Sequence, residues 1–173
     1  MDYSSAGCLF TDGTHVLAGY QPAKSTPCIS GIGGKREDCD GNFLETALRE
    51  MLEELLGIYD NPNLIQMLKT VCYDDIIRGR QYINIIYSFI SLEKILEFAF
   101  ITVGESPLYE VFPRTVGELV FSRRCPLYSN AEITHLTLLP LVTDLVIDPY
   151  FLKDLKKVYA ASASAPTEKT PQS

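Results

Sequence analysis

The 173 residues carry a formal charge of −7, with 46% hydrophobic and 21% charged residues. That length bounds the chain to one domain of ordinary size, and that balance excludes the low-hydrophobicity, high-charge composition of disordered chains. A pI near 4.8 gives a surface that as a whole repels a nucleic-acid backbone, which weighs against a long nucleic-acid partner.

The N-terminus, Met1 to Ser5, has neither the basic start nor the apolar run of a secretory signal, and no apolar stretch reaches the length of a membrane span. A cytoplasmic protein with no membrane association is expected. Gly7 to Phe10 and Val16 to Tyr20 are short apolar runs flanking Asp12-Gly13, a strong hairpin signal. A loop from Gln21 to Pro27 leads to a third short strand, Cys28 to Ile32, after which Gly33-Gly34 predicts a glycine-rich turn.

From Asn42 to Leu56 the pattern changes to helical period, with Phe43, Leu44, Ala47, Leu48, Met51, Leu52 and Leu55 on one side. Asp40 or Asn42 is positioned to cap this helix, Gly57 to end it, and Asn61-Pro62-Asn63 to act as breaker chemistry beyond. A strand is expected around Leu68 to Tyr73, a turn over Ile77 to Gln81 containing Arg78-Gly79-Arg80, and a strong strand from Tyr82 to Leu92.

Gly104 to Asn130 reads as a long irregular connection, the kind that often carries substrate contacts. Ile133 to Leu141 predicts a last strand, and Pro149 to about Ala160 a last helix. Residues 1–160 thus form one folded domain, and the small, polar, proline-bearing 161–173 a disordered tail. The five cysteines, Cys8, Cys28, Cys39, Cys72 and Cys125, form no CxxC pair and suit a reduced compartment. His15 and His135 pair with no nucleophile, and Arg78-Gly79-Arg80 and Arg123-Arg124, with two charges each, read as solvated loops.

The chemistry gathers on the Asn42 to Leu56 helix. Glu50, Glu53 and Glu54 stand at i, i+3 and i+4, so their carboxylates share one side, expected to lie opposite the apolar stripe. Their mutual repulsion would become binding around Mg2+, a hard ion that prefers oxygen ligands. Gly34 and Lys35 offer amides and an ammonium that could meet anionic oxygens. The plain alternative is a solvated helix face with Arg49 and Glu53 paired at i, i+4.

Strand, Gly-Gly-Lys, acidic loop and Arg49-Glu50-Met51-Leu52-Glu53-Glu54 follow in order, and here the chain resembles the Nudix hydrolase family. The family signature is G-x5-E-x7-R-E-U-x-E-E-x-G-U, with U aliphatic. Gly34 begins the match and residues 49–54 reproduce its centre. Two departures stand out. Asp40 replaces the family's first glutamate, with one extra residue before Arg49, and Leu56 takes the usual glycine position, Gly57 arriving one residue late.

The resemblance covers about residues 5 to 155 and implies an α/β/α sandwich with a mixed β-sheet. It further implies Arg49 orienting its neighbours, Glu50, Glu53 and Glu54 holding Mg2+ or Mn2+, and hydrolysis of a small nucleoside diphosphate derivative. Glu50 or Glu53 would also orient the attacking water. A downstream glutamate would serve as base or further ligand, among Glu105, Glu110, Glu118 and Glu132, with Glu132 best placed. Tyr73 hints at dinucleoside polyphosphates, but Tyr82 and Tyr87 offer equal stacking surface. Two other readings stay open, a silent nucleotide- or protein-binding module and an mRNA cap hydrolase.

Overall fold

The computed structural model describes residues 3–124, 132–141 and 148–163, with side chains to residue 157 in the last segment. Asp12 accepts from the backbone N–H of Thr14 (2.8 Å) and His15 (2.7 Å), and Gly13 adopts φ 86°. The Asp-Gly pair thereby turns strand β1 (Ser5–Thr11) into β2 (His15–Gln21), the hairpin expected from the sequence. The expected third strand is two: β3 (Cys28–Ser30) pairs with β2, and β4 (Ile32–Lys35) runs antiparallel to β1.

Gly33-Gly34-Lys35 is therefore strand and not a turn. Gly33 faces Gly7 of β1, and a Cβ on Gly33 would stand 2.4 Å from the Gly7 Cα. Glycine here permits two backbones to approach closely and reverses nothing.

Helix α1 (Phe43–Leu56) is capped by Asn42, whose Oδ1 accepts from the Leu44 and Glu45 amides at 3.0 and 3.2 Å. This leaves Asp40 free for another task. Gly57, at φ 64°, ends the helix and donates to the Glu53 carbonyl. Ala47, Leu48, Met51, Leu52 and Leu55 are fully buried in the main core. Leu48→Ala is expected to cost roughly 2–5 kcal/mol in a urea melt, as large-to-small changes in a packed core do. A cost below about 1 kcal/mol would show that this face is not packed.

The next elements depart from expectation. Asn61 accepts from the Leu64 amide and Pro62 takes the first position of α2 (Pro62–Leu68), so the supposed breakers start a helix. The strand expected over Leu68 to Tyr73 lies further on as β5 (Asp75–Arg78), and residues 79–81 connect it in a hairpin to β6 (Tyr82–Ser88).

β6 stops at Ser88, not Leu92. The Ser88 hydroxyl accepts from the Ser91 amide (3.1 Å) and caps α3 (Phe89–Thr102). The irregular stretch after Gly104 holds a short helix, α4 (Val116–Phe121), with a capping box between Thr115 and Glu118. The part of that stretch from Cys125 to Asn130 lies outside the described residues. The last strand is β7 (His135–Pro140), and α5 (Pro149–Ala163) continues three residues beyond its expected end. Of the tail expected at 161–173, residues 164–173 lie outside the described residues.

The strands form one seven-stranded mixed sheet of order β3-β2-β1-β6-β5, with β4 added to β1 and β7 to β2. β1 and β6 are parallel, Ser5 opposite Tyr82 through Thr11 opposite Ser88, and the α1–α2 segment lies in the connection between them. Ala6, Cys8, Phe10, Ile83, Ile85 and Tyr87 pack on the face covered by α1 to α4. Leu9, Val16, Ala18, Ile86 and Leu139 pack on the other, against Phe151 and Leu155 of α5. The result is the expected α/β/α sandwich. Among the described residues no helix is long and apolar enough to cross a membrane, and Cys8, Cys28, Cys39 and Cys72 are free thiols.

Candidate active site

Arg49 is the hub of the site. It sits on α1, only 8% exposed. Its Nε and Nη2 grip the two oxygens of Asp40 at 3.1 and 3.0 Å, and Nη2 also donates to the Lys35 carbonyl at 2.7 Å. Nη1 reaches Glu50 at 3.0 Å and Glu53 at 3.3 Å. Asp40 accepts further bonds from the Thr46 hydroxyl and the Glu37 amide, both 2.9 Å. Burial pushes the Asp40 carboxyl up, but the Arg49 fork and these donors outweigh it and hold the group below its ordinary range. Asp40 thus anchors the arginine that positions Glu50 and Glu53.

Glu54 corrects the sequence picture. Its carboxylate does not point away from the core; it is buried where α1 meets β4, 9% exposed, and accepts from the Gly33 amide at 2.6 Å. Gly34 makes room for its neighbour, since a Cβ there would stand 2.4 Å from a Glu50 oxygen. Glycine at 34 thus leaves the Glu50 carboxylate its place against β4. Lys35 contributes its carbonyl to Arg49, while its side chain is exposed.

Burial raises the Glu50 carboxyl to about 7, with the charges of Glu53 and Glu132 adding to the shift against the opposing pull of Arg49. Burial also lifts Glu54 well above its ordinary range, with Glu50 and Glu132 contributing, and raises Glu53. Of the four downstream candidates, Glu132 is the one whose charge bears on Glu50 and Glu54. Glu118 instead caps α4, Glu110 lies 3.7 Å from Arg124 on the surface, and Glu105 is exposed in its loop.

These shifts carry a sign. Between the unfolded carboxyl range and about 7, the folded state holds protons that the unfolded state has released, so stability falls as pH rises. The metal-free protein is expected to lose roughly 5 °C in Tm between pH 5 and pH 8. A rise over that interval in EDTA would contradict the burial of Glu50 and Glu54. Gly34→Ala gives a separate test, because the atoms its Cβ meets belong to the flexible end of Glu50. The variant is expected to fold within about 1 kcal/mol of the parent in a urea melt while displacing the Glu50 carboxylate.

As the side chains stand, no three His, Cys, Asp or Glu residues among the described residues form a group able to hold a metal ion. Glu50 and Glu53 turn to Arg49, and Glu54 to the Gly33 amide. Their chemistry nonetheless suits a hard divalent cation: carboxylate oxygens on one helix, whose charged form burial and neighbouring acids disfavour.

No protein-family model and no curated protein matches the chain. Several solved structures do. The chain is similar in fold to Nudix hydrolases. One from M. smegmatis, RenU, is 15% identical, with 97% of this chain and 90% of that chain covered and a TM-score of 0.47. A NUDIX hydrolase from Nitrosomonas europaea is 10% identical over 93% and 90%, TM-score 0.45. The NUDIX domain of Shewanella oneidensis NrtR, solved with ADP ribose, is 11% identical over 93% and 88%, TM-score 0.46.

One residue at the site takes a part that the local sequence does not signal. Arg123, read there as half of a solvated basic pair, donates to the Leu55 and Glu54 carbonyls at 2.9 and 2.8 Å and to the Ile133 carbonyl at 2.9 Å. It closes the C-terminus of α1, whose last turn holds no basic residue, and ties it to the residue after Glu132. Nothing in the local sequence marks this, because the contact spans some 68 positions. Of the tyrosines, Tyr73 packs edge-on to buried Tyr87, ring centroids 6.3 Å apart. His15 bonds within its hairpin to Thr14, and His135 lies beside Thr134 and Tyr20.

Proposed function

We propose that this chain is a Nudix-type hydrolase that uses Mg2+ or Mn2+ to cleave the diphosphate linkage of a small nucleoside diphosphate derivative. The observation that carries the reading is the cluster itself. Glu50, Glu53 and Glu54 stand on one helix, and burial, with the charges of neighbouring acids including Glu132 adding to it, raises the carboxyls of Glu50 and Glu54. A protein that stores such repulsion loses stability unless a cation relieves it. A solvated helix face, the plain alternative, would not bury Glu54 or clamp Arg49 between five oxygens.

Glu50, Glu53 and Glu54 would hold the cation, with Arg49 setting the angle of Glu50 and Glu53 and Asp40 setting Arg49. A bound Mg2+ supplies Lewis-acid neutralisation of the diphosphate oxygens and lowers the pKa of water. Glu50 or Glu53 would also orient the attacking water and take its proton, and Glu132 would be the second acceptor. The Gly33 and Gly34 backbone borders the site, and Lys35 lies at its rim. Substrate-binding roles for Gly34, Lys35 and Glu132 belong to this proposal.

The experiment is release of nucleoside monophosphate or phosphate from ADP-ribose, diadenosine polyphosphates, nucleoside triphosphates and capped RNA, with and without chelator. Turnover of one of them, abolished by EDTA, supports the reading. Silence across the panel by folded protein, together with no Mg2+-induced rise in Tm at pH 8, overturns it. That outcome would favour a binding module, a reading supported by the hold Arg49 already has on Glu50 and Glu53.

A further inference from the structure

Among the described residues, Arg36, Arg78 and Arg80 are exposed and none forms an ion pair with an acidic side chain. In the sequence Arg36 is remote from the other two; the sheet brings them to one end. Arg36 follows β4 and donates its backbone N–H to the Ser4 carbonyl, and the Ser4 amide bonds to Gln81, next to Arg80. Arg78 ends β5, the far neighbour in the order β4-β1-β6-β5.

Between the two arginines runs a row of rings. The Arg36 guanidinium lies 5.1 Å from the centre of Tyr3, Tyr3 meets Phe43 edge to face at 6.3 Å, and Arg78 lies 5.1 Å from the centre of Phe43. The row is fixed from below. Tyr3 shares a 3.1 Å hydrogen bond with Thr46, and both rings pack on the main core. Arg36 is held further by its bond to the Asp40 carbonyl at 3.4 Å.

A guanidinium stacked on a ring keeps donors at its edge, and the stacking removes much of the rotamer freedom that binding would otherwise cost. Of the acids in the connecting loop, Glu37 is turned toward Arg49 at 3.8 Å and Asp40 is held by it, while Asp38 is exposed and forms no ion pair with Arg36. Three strand spacings put the β4 and β5 backbones about 14 Å apart. A single phosphate cannot bridge that span, but a chain of phosphates can.

We propose that the Arg36–Tyr3–Phe43–Arg78 row, with Arg80, is a binding surface for the phosphate backbone of single-stranded nucleic acid. It is distinct from the carboxylate cluster and does not depend on hydrolysis. The negative charge of the whole chain keeps the affinity modest, and the local row supplies the contact. Three contacts imply that log K falls with log salt at a slope of about −2.

The test uses a fluorescein-labelled 15-nucleotide oligothymidylate with a 5′-hydroxyl, which offers no diphosphate linkage, and fluorescence anisotropy in EDTA. Saturable binding at low salt with that slope is expected. Arg36→Ser/Arg78→Ser should weaken it at least tenfold, Arg80→Glu severalfold, and Glu53→Gln should bind as the parent does. Tripolyphosphate, too short to span the row, should compete poorly at equal phosphate concentration. No binding at low salt, equal binding by parent and double variant, or full displacement by tripolyphosphate would overturn the proposal. If the double variant does not fold, Arg80→Glu, in an exposed turn, decides alone. Failure here leaves the hydrolase reading untouched, since the substrate panel and this oligonucleotide share no chemistry at the carboxylates.

Discussion

Glu53→Gln is expected to lower turnover roughly 10^2-fold or more while leaving Tm within about 2 °C of the parent. Of the acids on the helix it is the most accessible, its side chain 24% exposed against 15% for Glu50, and among the described residues its side chain bonds only to Arg49, at 3.3 Å. Glutamine keeps the shape and an acceptor oxygen but gives up the charge that a divalent cation requires. Arg49 loses one of its charged partners and keeps Asp40 and Glu50. Glu54→Gln would be a poorer test, because Glu54 is buried against β4 and its substitution changes packing and charge together. Full activity in Glu53→Gln, measured as initial rate at saturating Mg2+, would remove Glu53 from the metal set.

The largest loss of stability is expected from Arg49→Met. Methionine fills much of the same volume but leaves Asp40, 4% exposed, without its two strongest donors. Removing one member of a buried pair costs about 3–5 kcal/mol, because the remaining charge is stranded. Asp40→Asn in the same chain should restore part of that loss, since the stranded charge goes with it. Urea midpoints for the two single variants and the double variant measure the coupling. Additive losses would mean that Asp40 and Arg49 do not act as a unit.

The local signals in the chain were sufficient for α1 and the first hairpin. Asn42, Gly57 and the Ala47-Leu48-Met51-Leu52-Leu55 spacing define the helix from within its own residues, and Asp12-Gly13 does the same for the turn. Helical period put Glu50, Glu53 and Glu54 on one stretch of α1, but in the structure Glu50 and Glu53 turn to Arg49 and Glu54 to the Gly33 amide. Elements whose identity depends on distant partners were less legible. Gly33-Gly34 looks like a turn unless Gly7 and α1 are known to press on it. The β6 to α3 junction was hidden because Tyr82 to Leu92 is dominated by β-branched and aromatic residues on both sides of it, and the Ser88 hydroxyl marks where strand becomes helix. The inward turn of Glu54 and the reach of Arg123 could not be seen, since each depends on a contact with another part of the fold.

The parallel pairing of β1 with β6 also orders the birth of this protein on the ribosome. The open edge of β1 must wait for residues 82–88, and hence for nearly half the chain to be synthesised, before its final neighbour arrives. During that interval the β1–β2 hairpin can close and α1 can form, but one flank of Leu9 and Phe10 stays uncovered, the situation in which nascent sheets stick to one another. A nascent chain stalled before residue 82 should therefore bind a holdase chaperone, and one released after residue 88 should begin to let it go.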